Sequence, residues 1–474
     1  MSTPSTISLP GQQIPAWLKN SLLSGFVFFI CWGGVIAYWR VNQSAPGTTE
    51  LLLFLFGLPA ALLLLFWAGG KAVAARTAPP PARPAIQPDQ AAAAAPPAAP
   101  LAILAAALRL PHGALVDELA DAIAANKART ELDRELIDED GFPVMAARSK
   151  DAGDDMLRGE VDEWLTRNGM HELRFSEEQW RALTLASAVT SDLVMRATGE
   201  LVSSENQAPM LQLMPLLPAD WDIDQRRAAG LWLRYTASQF GWPFDCVSVP
   251  VDAMIDAAEA TPAAVFARLA QAANDSAPTL ALVVACASHI GQQTVDDWAA
   301  RGILFTSSQP HGLIPGEGAA GLLVANLALA KPIESMAYVL IDPFVQTRLD
   351  ASADEIKRVD AAVLGKLADT VCRHAGIGAG DIAMVIGDAG HRPNRALELM
   401  GFVAASTPQL DASDDVARVG LASGTCGAVP FMAGLALARY WSLEREASVL
   451  FVSNEDAYQR CVAVVRSALS LPAW

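Results

Sequence analysis

Six cysteines and six histidines are the residues of this 474-residue chain best suited to nucleophilic or metal chemistry, and their spacing excludes most of it. No C-x-x-C pair and no H-E-x-x-H occurs, so a zinc centre has no ligand set. No G-x-S-x-G elbow is present to expose a catalytic serine. No G-x-x-x-x-G-K-[ST] loop is present to cradle phosphate. The one G-x-G-x-x-G match, Gly316 to Gly321, runs into an apolar strand and does not open a helix, so it gives nucleotide binding no support. Six cysteines in a chain of this length also exclude a disulfide scaffold. We expect no metal and no cofactor. A net charge of −17 argues against nucleic acid as a partner, because phosphate is met by a basic footprint.

The most informative segment is His311 to Ala325, HGLIPGEGAAGLLVA. Gly316 and Gly318 flank Glu317 just ahead of an apolar run. Glycines there allow a tight turn and close backbone approach. A tight turn at Gly316–Gly318 leading into a central strand is the expectation. A glutamate buried at such a place is expected to accept backbone N–H groups and hold structure, in preference to catalysis.

The elements that would position these residues follow from hydrophobic pattern. Half the chain is apolar (52 %) and 18 % is charged, enough for a large core. From Leu101 onward helices alternate with short apolar strands. Helices are expected at Glu160–Gly169, Glu177–Leu201, Ala263–Ala273, Ser352–His374 and Gly427–Tyr440. Strands are expected at Leu280–Ala285, Gly321–Ala325, Ala337–Ile341, Ile382–Ile386, Ser448–Ser453 and Cys461–Val465. Such alternation predicts an α/β body with a mixed sheet, occupying residues 101–474. No short-period repeat is visible.

Ahead of that body, Lys71 to Pro100 is rich in alanine and proline and has almost no large apolar residues, which predicts a semi-extended tether. Residues 1–70 read as a membrane hairpin. Asn20 to Trp39 and Leu51 to Gly70 are uncharged runs of bilayer-spanning length, with Trp17, Trp32, Tyr38, Trp39 and Trp67 mostly near their ends. Lys19 precedes the first run, Lys71, Arg76 and Arg83 follow the second, and only Arg40 stands between them. The positive-inside rule therefore places both ends in the cytoplasm, with a periplasmic body as the alternative. Almost all the negative charge lies after Gly70, so anionic lipid should repel the body.

The sequence resembles the thiolase-like family of β-ketoacyl synthases. The resemblance rests on Gly316-Glu-Gly-Ala-Ala320 and its following strand, on the preceding Leu280–Ser288 run LALVVACAS, and on the small-residue stretch Ala433–Arg439 with Gly427-Ala428. Val449–Asn454 followed by Cys461–Val465 resembles the closing hairpin. It implies a layered thiolase-like fold. It also implies a cysteine nucleophile at a strand–helix elbow and two histidines that activate it and bind an oxyanion. This chain departs at each place. The elbow falls near Ala260–Thr261, where there is no cysteine; Cys246 is too far upstream and Cys286 sits in or just after a strand. In Asp388-Ala-Gly-His391-Arg-Pro393 the first histidine is replaced by Asp388, and His391 comes three residues late. The second histidine falls near Ser423–Gly424. Cys246 and Cys426 read as apolar fillers and His391 as a turn residue. No catalytic residue is expected.

The whole arrangement also resembles a bacterial family of adaptors that load lipase effectors onto the type VI secretion spike. The matching features are the two N-terminal spans, the tether, Leu108–Gly113, Leu132–Val144 and the degenerate synthase-like end. This resemblance implies an inner-membrane protein whose partners are a lipase effector and a VgrG-type spike protein. A thiolase-type acyltransferase or condensing enzyme, and a structural subunit of an envelope assembly, stay open as alternatives.

Overall fold

The computed structural model describes residues 98–202, 208–250, 261–275, 278–333, 336–355 and 360–468, all within one compact unit, Pro97–Trp474. Among the described residues no helix is long and apolar enough to cross a membrane. The spans expected at 20–39 and 51–70, and the tether as far as residue 97, lie outside them.

Thirteen strands are described: β1 (Leu101–Arg109), β2 (Glu131–Ile137), β3 (Pro143–Ala146), β4 (Leu211–Leu216), β5 (Val247–Ser248), β6 (Leu280–Ser288), β7 (Glu317–Ala325), β8 (Val339–Ile341), β9 (Val345–Arg348), β10 (Ile382–Gly387), β11 (Val416–Arg418), β12 (Ser448–Ser453) and β13 (Gln459–Ser467). Apart from the β2–β3 pair they form one mixed sheet, in the order β11-β10-β12-β13-β8-β1-β7-β6-β4-β5, with β9 beside β13. The order reads as two matching halves. In the first, β4 runs parallel to β5 and β6, and β7 is antiparallel to β6 and β1. In the second, β10 runs parallel to β11 and β12, and β13 is antiparallel to β12 and β8. The antiparallel pair β1 and β8 joins the halves, with Leu101 opposite Ile341.

Burial follows position in the sheet. β6 and β7 are buried along their whole length, as near-continuous apolar runs covered on both faces must be. The helix Glu177–Leu201 packs on β1, β6 and β7. Its start is fixed by a capping box: the Ser176 hydroxyl accepts from Gln179 N–H, and the Gln179 side chain accepts from Ser176 N–H. The helix Val429–Glu444 touches strands of both halves. Its first ten residues are buried without interruption, which explains why they are apolar on every side.

Two expectations are corrected here. Ser352–His374 is not one long helix: the described helix begins at Ala362 and ends at Ala375. The earlier residues are pulled into loop contacts, with Ala353 N–H donating to Ala457 O at 2.8 Å and Asp354 paired to Arg392 and Arg395. Gly316–Gly318 is not a tight turn either. Gly316 already bridges to Ala147 in sheet fashion, and β7 starts at Glu317. The glycines serve the other use expected of them, close approach. A Cβ on Gly318 would lie 2.4 Å from Leu110 Cδ2.

Candidate functional site

Several segments converge on a cavity of about 700 Å³, four of them bearing the expected site positions or the loops beside them. These four are the start of the helix Pro262–Ala272, the loop after β10, the loop before the helix Val429–Glu444, and the loop after β12; Gln346 of β9, Asp354 and Cys461 of β13 complete the wall. Thr261 caps the first of these, its hydroxyl accepting from Ala264 N–H at 3.3 Å. Pro262 follows at the first helical position, where its fixed φ and missing N–H cost nothing.

Asp388 stands at the end of β10 and lines the cavity. Its Oδ2 accepts from Ser453 Oγ at 2.5 Å, and Oδ1 accepts from the N–H groups of Asn454 and Glu455 at 2.9 and 3.1 Å. Burial pushes its carboxyl up to about 6, against those donors, which favour the charged form. The carboxylate is thus occupied in holding the loop after β12 to the end of β10.

His391 lines the same cavity. Its Nε2 donates to Gly312 O at 2.8 Å, since a carbonyl can only accept, and its ring meets Phe305 edge to face at 5.0 Å. Burial holds the imidazole below its ordinary pKa, with the Gly312 carbonyl and Glu455 pulling the other way. In its neutral form the ring carries its proton on Nε2, the atom facing the Gly312 carbonyl.

Ser423 is fully buried, and Gly424, with φ +61°, begins the loop toward the buried helix. Thr425 N–H donates to Ile314 O at 2.8 Å. Cys426 follows, lining the cavity with its Sγ 3.5 Å from Ala287 O. Burial, with Glu317 and Cys286 adding to it, raises the Cys426 thiol well above its ordinary value. Cys461, the other thiol in the lining, is raised in the same way by burial and by Asp388. Cys286 lies in β6, away from the lining, and burial takes its thiol to about 12. Cys246 is half-buried in the short turn Phe244–Cys246 before β5 and does not reach the cavity.

Glu317 has a separate place. Its carboxylate, fully buried, takes a two-pronged bond from Arg181 (Nε to Oε2 2.8 Å, Nη2 to Oε1 2.6 Å), a backbone N–H from Ser149 at 2.7 Å and the Ser288 hydroxyl at 2.9 Å. It ties β7, the end of β6, the helix Glu177–Leu201 and the loop at Ser149 into one knot.

The sequence reading missed the charged wall of the cavity. Arg392 pairs with Glu455 at 2.8 Å and with Asp354 at 3.0 Å. Behind it, Arg395 pairs with Asp354, and the fully buried Arg460 and Glu398 pair at 2.7 Å. The available signal was Arg395 and Glu398 three apart on one helix, Arg392 three before them at its cap, and Arg460 near the start of an apolar strand. Among the described residues no group of three His, Cys, Asp or Glu side chains is placed to hold a metal ion.

Neither a family model nor a curated protein matches this sequence. Solved structures do match. The ketosynthase from module 6 of the bacillaene synthase of Bacillus subtilis 168 superposes with a TM-score of 0.54 at 14 % identity, over 79 % of this chain and 73 % of that chain. The ketosynthase from module 1 of the bacillaene synthase of Bacillus amyloliquefaciens gives 0.51 at 11 % identity, over 79 % and 76 %. An oxazolomycin ketosynthase domain from Streptomyces albus gives 0.52 at 11 %, over the same shares. The body has the thiolase-like ketosynthase fold. At these identities the likeness concerns the fold alone. On a ketosynthase fold, the elbow and histidine positions expected from the resemblance are Ala260–Thr261, Asp388 and Ser423–Gly424. Thr261, Asp388 and Gly424 all line the one cavity, and none of them carries a thiol or an imidazole.

Proposed function

We propose that this chain is a non-catalytic adaptor: a ketosynthase fold kept for binding, tethered to the membrane by its N-terminal hairpin. The observation that carries the reading is the composition of the cavity. A condensing enzyme needs a thiolate, a base to make it and donors for an oxyanion. The elbow expected near Ala260–Thr261 has no cysteine and Thr261 caps a helix, while Asp388 is spent on three donors from the end of β12 and the loop after it. The two thiols in the lining are both raised by burial, which suppresses the thiolate.

The finer reading is an adaptor of type VI secretion at the bacterial inner membrane, with its body on the cytoplasmic side. It binds a lipase effector and hands it to a VgrG-type spike protein. The paired spans, the Ala/Pro tether and the acidic body support it: together they give a reach away from the membrane and repulsion from its anionic surface. The test is affinity capture of the tagged full chain from its native host, with mass spectrometry of what is retained. A lipase together with a spike protein supports the reading. An acyl-carrier protein would overturn it in favour of a condensing enzyme, and a ring of envelope proteins without either in favour of a structural subunit.

A further inference from the structure

The β2–β3 pair stands apart from the large sheet. Its inner face is well covered, with Leu136, Val144 and Ala146 clustered with Ile290, Val295 and Trp298. An antiparallel pair covered on one side is expected to be polar on the other. This one is not. Leu132 stands opposite Met145 and Ile137 opposite Pro143. Pro143 and Met145 are two residues apart, and a register shift between Leu132 and Ile137 brings both opposite them, so these four side chains share the outer face. Leu132 is 64 % exposed and Ile137 44 %, and Phe142 at the turn is 66 % exposed.

The hairpin is braced as if to present that face. Asp133 accepts the N–H groups of Glu135 and Leu136 at 2.8 and 3.1 Å and pairs with Arg148 at 2.6 Å. Asp138 closes the turn, accepting from Asp140 N–H and Phe142 N–H at 3.1 and 2.8 Å. The Gln292 amide accepts from Ile137 N–H at 3.2 Å and donates to Ile137 O at 2.8 Å. That amide takes up hydrogen-bonding groups on the outer edge of β2, where an added strand would otherwise pair. The face is what remains open.

Charge selects the occupant. Arg148 is already engaged by Asp133 and Glu135. Along the hairpin and its turn, Glu131, Asp138, Glu139 and Asp140 have no ion-pair partner among the described residues and outnumber the one base in the same state, the exposed Arg134. A second copy would bring the same carboxylates and a net charge of −17, and an anionic lipid surface would be repelled likewise. We propose that the outer face of this hairpin is a docking surface for a partner protein that presents an apolar patch bordered by lysine and arginine. The inference goes beyond the adaptor reading, because it names a face and a chemistry and holds for any cargo.

The experiment places the photo-crosslinker p-benzoylphenylalanine at position 142 of the full chain in native host cells. The expected adduct is to another protein, at a peptide that combines apolar residues with Lys or Arg. Its yield should drop about tenfold in an E139K/D140K background and in an L132S background, since charge steers such contacts and the apolar anchor holds them. Both substitutions are on the surface, and unchanged melting confirms folding. Adducts only to this chain or to lipid, no adduct, or a yield indifferent to E139K/D140K would each overturn the proposal. None of these outcomes decides whether a lipase is bound elsewhere.

Discussion

Gly316 lies so close to the backbone carbonyl of Ser423 that a Cβ on the glycine would sit 1.9 Å from that oxygen. The approach is seconded by Thr425 N–H bonding to Ile314 O, so the entry to β7 holds the loop that forms one wall of the cavity. Gly316→Ala cannot be absorbed by a side-chain shift, because the opposing atom is backbone. We expect a loss of about 3 kcal/mol or more, at the upper end for strain of this kind, read by denaturant unfolding. A variant as stable as the parent would show that the loop and β7 are not so tightly coupled.

The Glu317–Arg181 pair is a second structural dependence. Removing the carboxylate leaves the mostly buried Arg181 with only the Ser149 carbonyl, at 3.3 Å, and strips the Ser149 N–H and the Ser288 hydroxyl of their acceptor. Breaking a buried pair from one side costs about 3–5 kcal/mol. Glu317→Ala should therefore unfold at markedly lower denaturant than the parent, and R181M/E317L should recover part of the loss. If Glu317→Ala were neutral, the knot would not be holding the first half of the sheet.

Asp388 gives a pH signature. Its carboxyl is raised to about 6, so the folded state holds its proton more tightly than the unfolded chain does. Its contribution is fully present below the ordinary carboxylate range and is lost as pH rises through about 6, amounting to about 3 kcal/mol. His391 is shifted downward and works against this in the same window, so the comparison must be with Asp388→Asn. The stability of the parent relative to Asp388→Asn should fall between pH 4.5 and pH 7.5, measured by chemical denaturation at each pH. Parallel profiles for the two proteins would contradict the assignment.

Much of this was legible in the sequence where local pattern and tertiary role agree. Ser448–Ser453 is an apolar, β-branched run and forms β12 with those bounds. Glu177–Leu201 announces its start with Ser176 and Gln179. The reading failed where distant partners decide. LAILAAALR at Leu101–Arg109 is rich in helix formers, yet it is the strand that joins the two halves. Its pairing with β7 and β8 overrides its propensity. Ser352–Ala361 has a helical pattern, but Asp354 is claimed by Arg392 and Arg395 from about forty residues away. The cavity joins Thr261, Asp388 and Gly424, which only the topology brings together. Its charged wall was missed because Arg and Glu read as surface residues until a partner for each is known.

The absence of condensing chemistry is the claim most directly open to measurement. The soluble body or the full chain is incubated with acyl-thioesters and examined by intact mass. We expect no acyl adduct and no condensation product, because no cysteine stands at the elbow expected near Ala260–Thr261 and burial suppresses the Cys426 and Cys461 thiolates. A stoichiometric adduct that disappears on Cys426→Ser or Cys461→Ser would contradict the adaptor reading and make this cavity an active site.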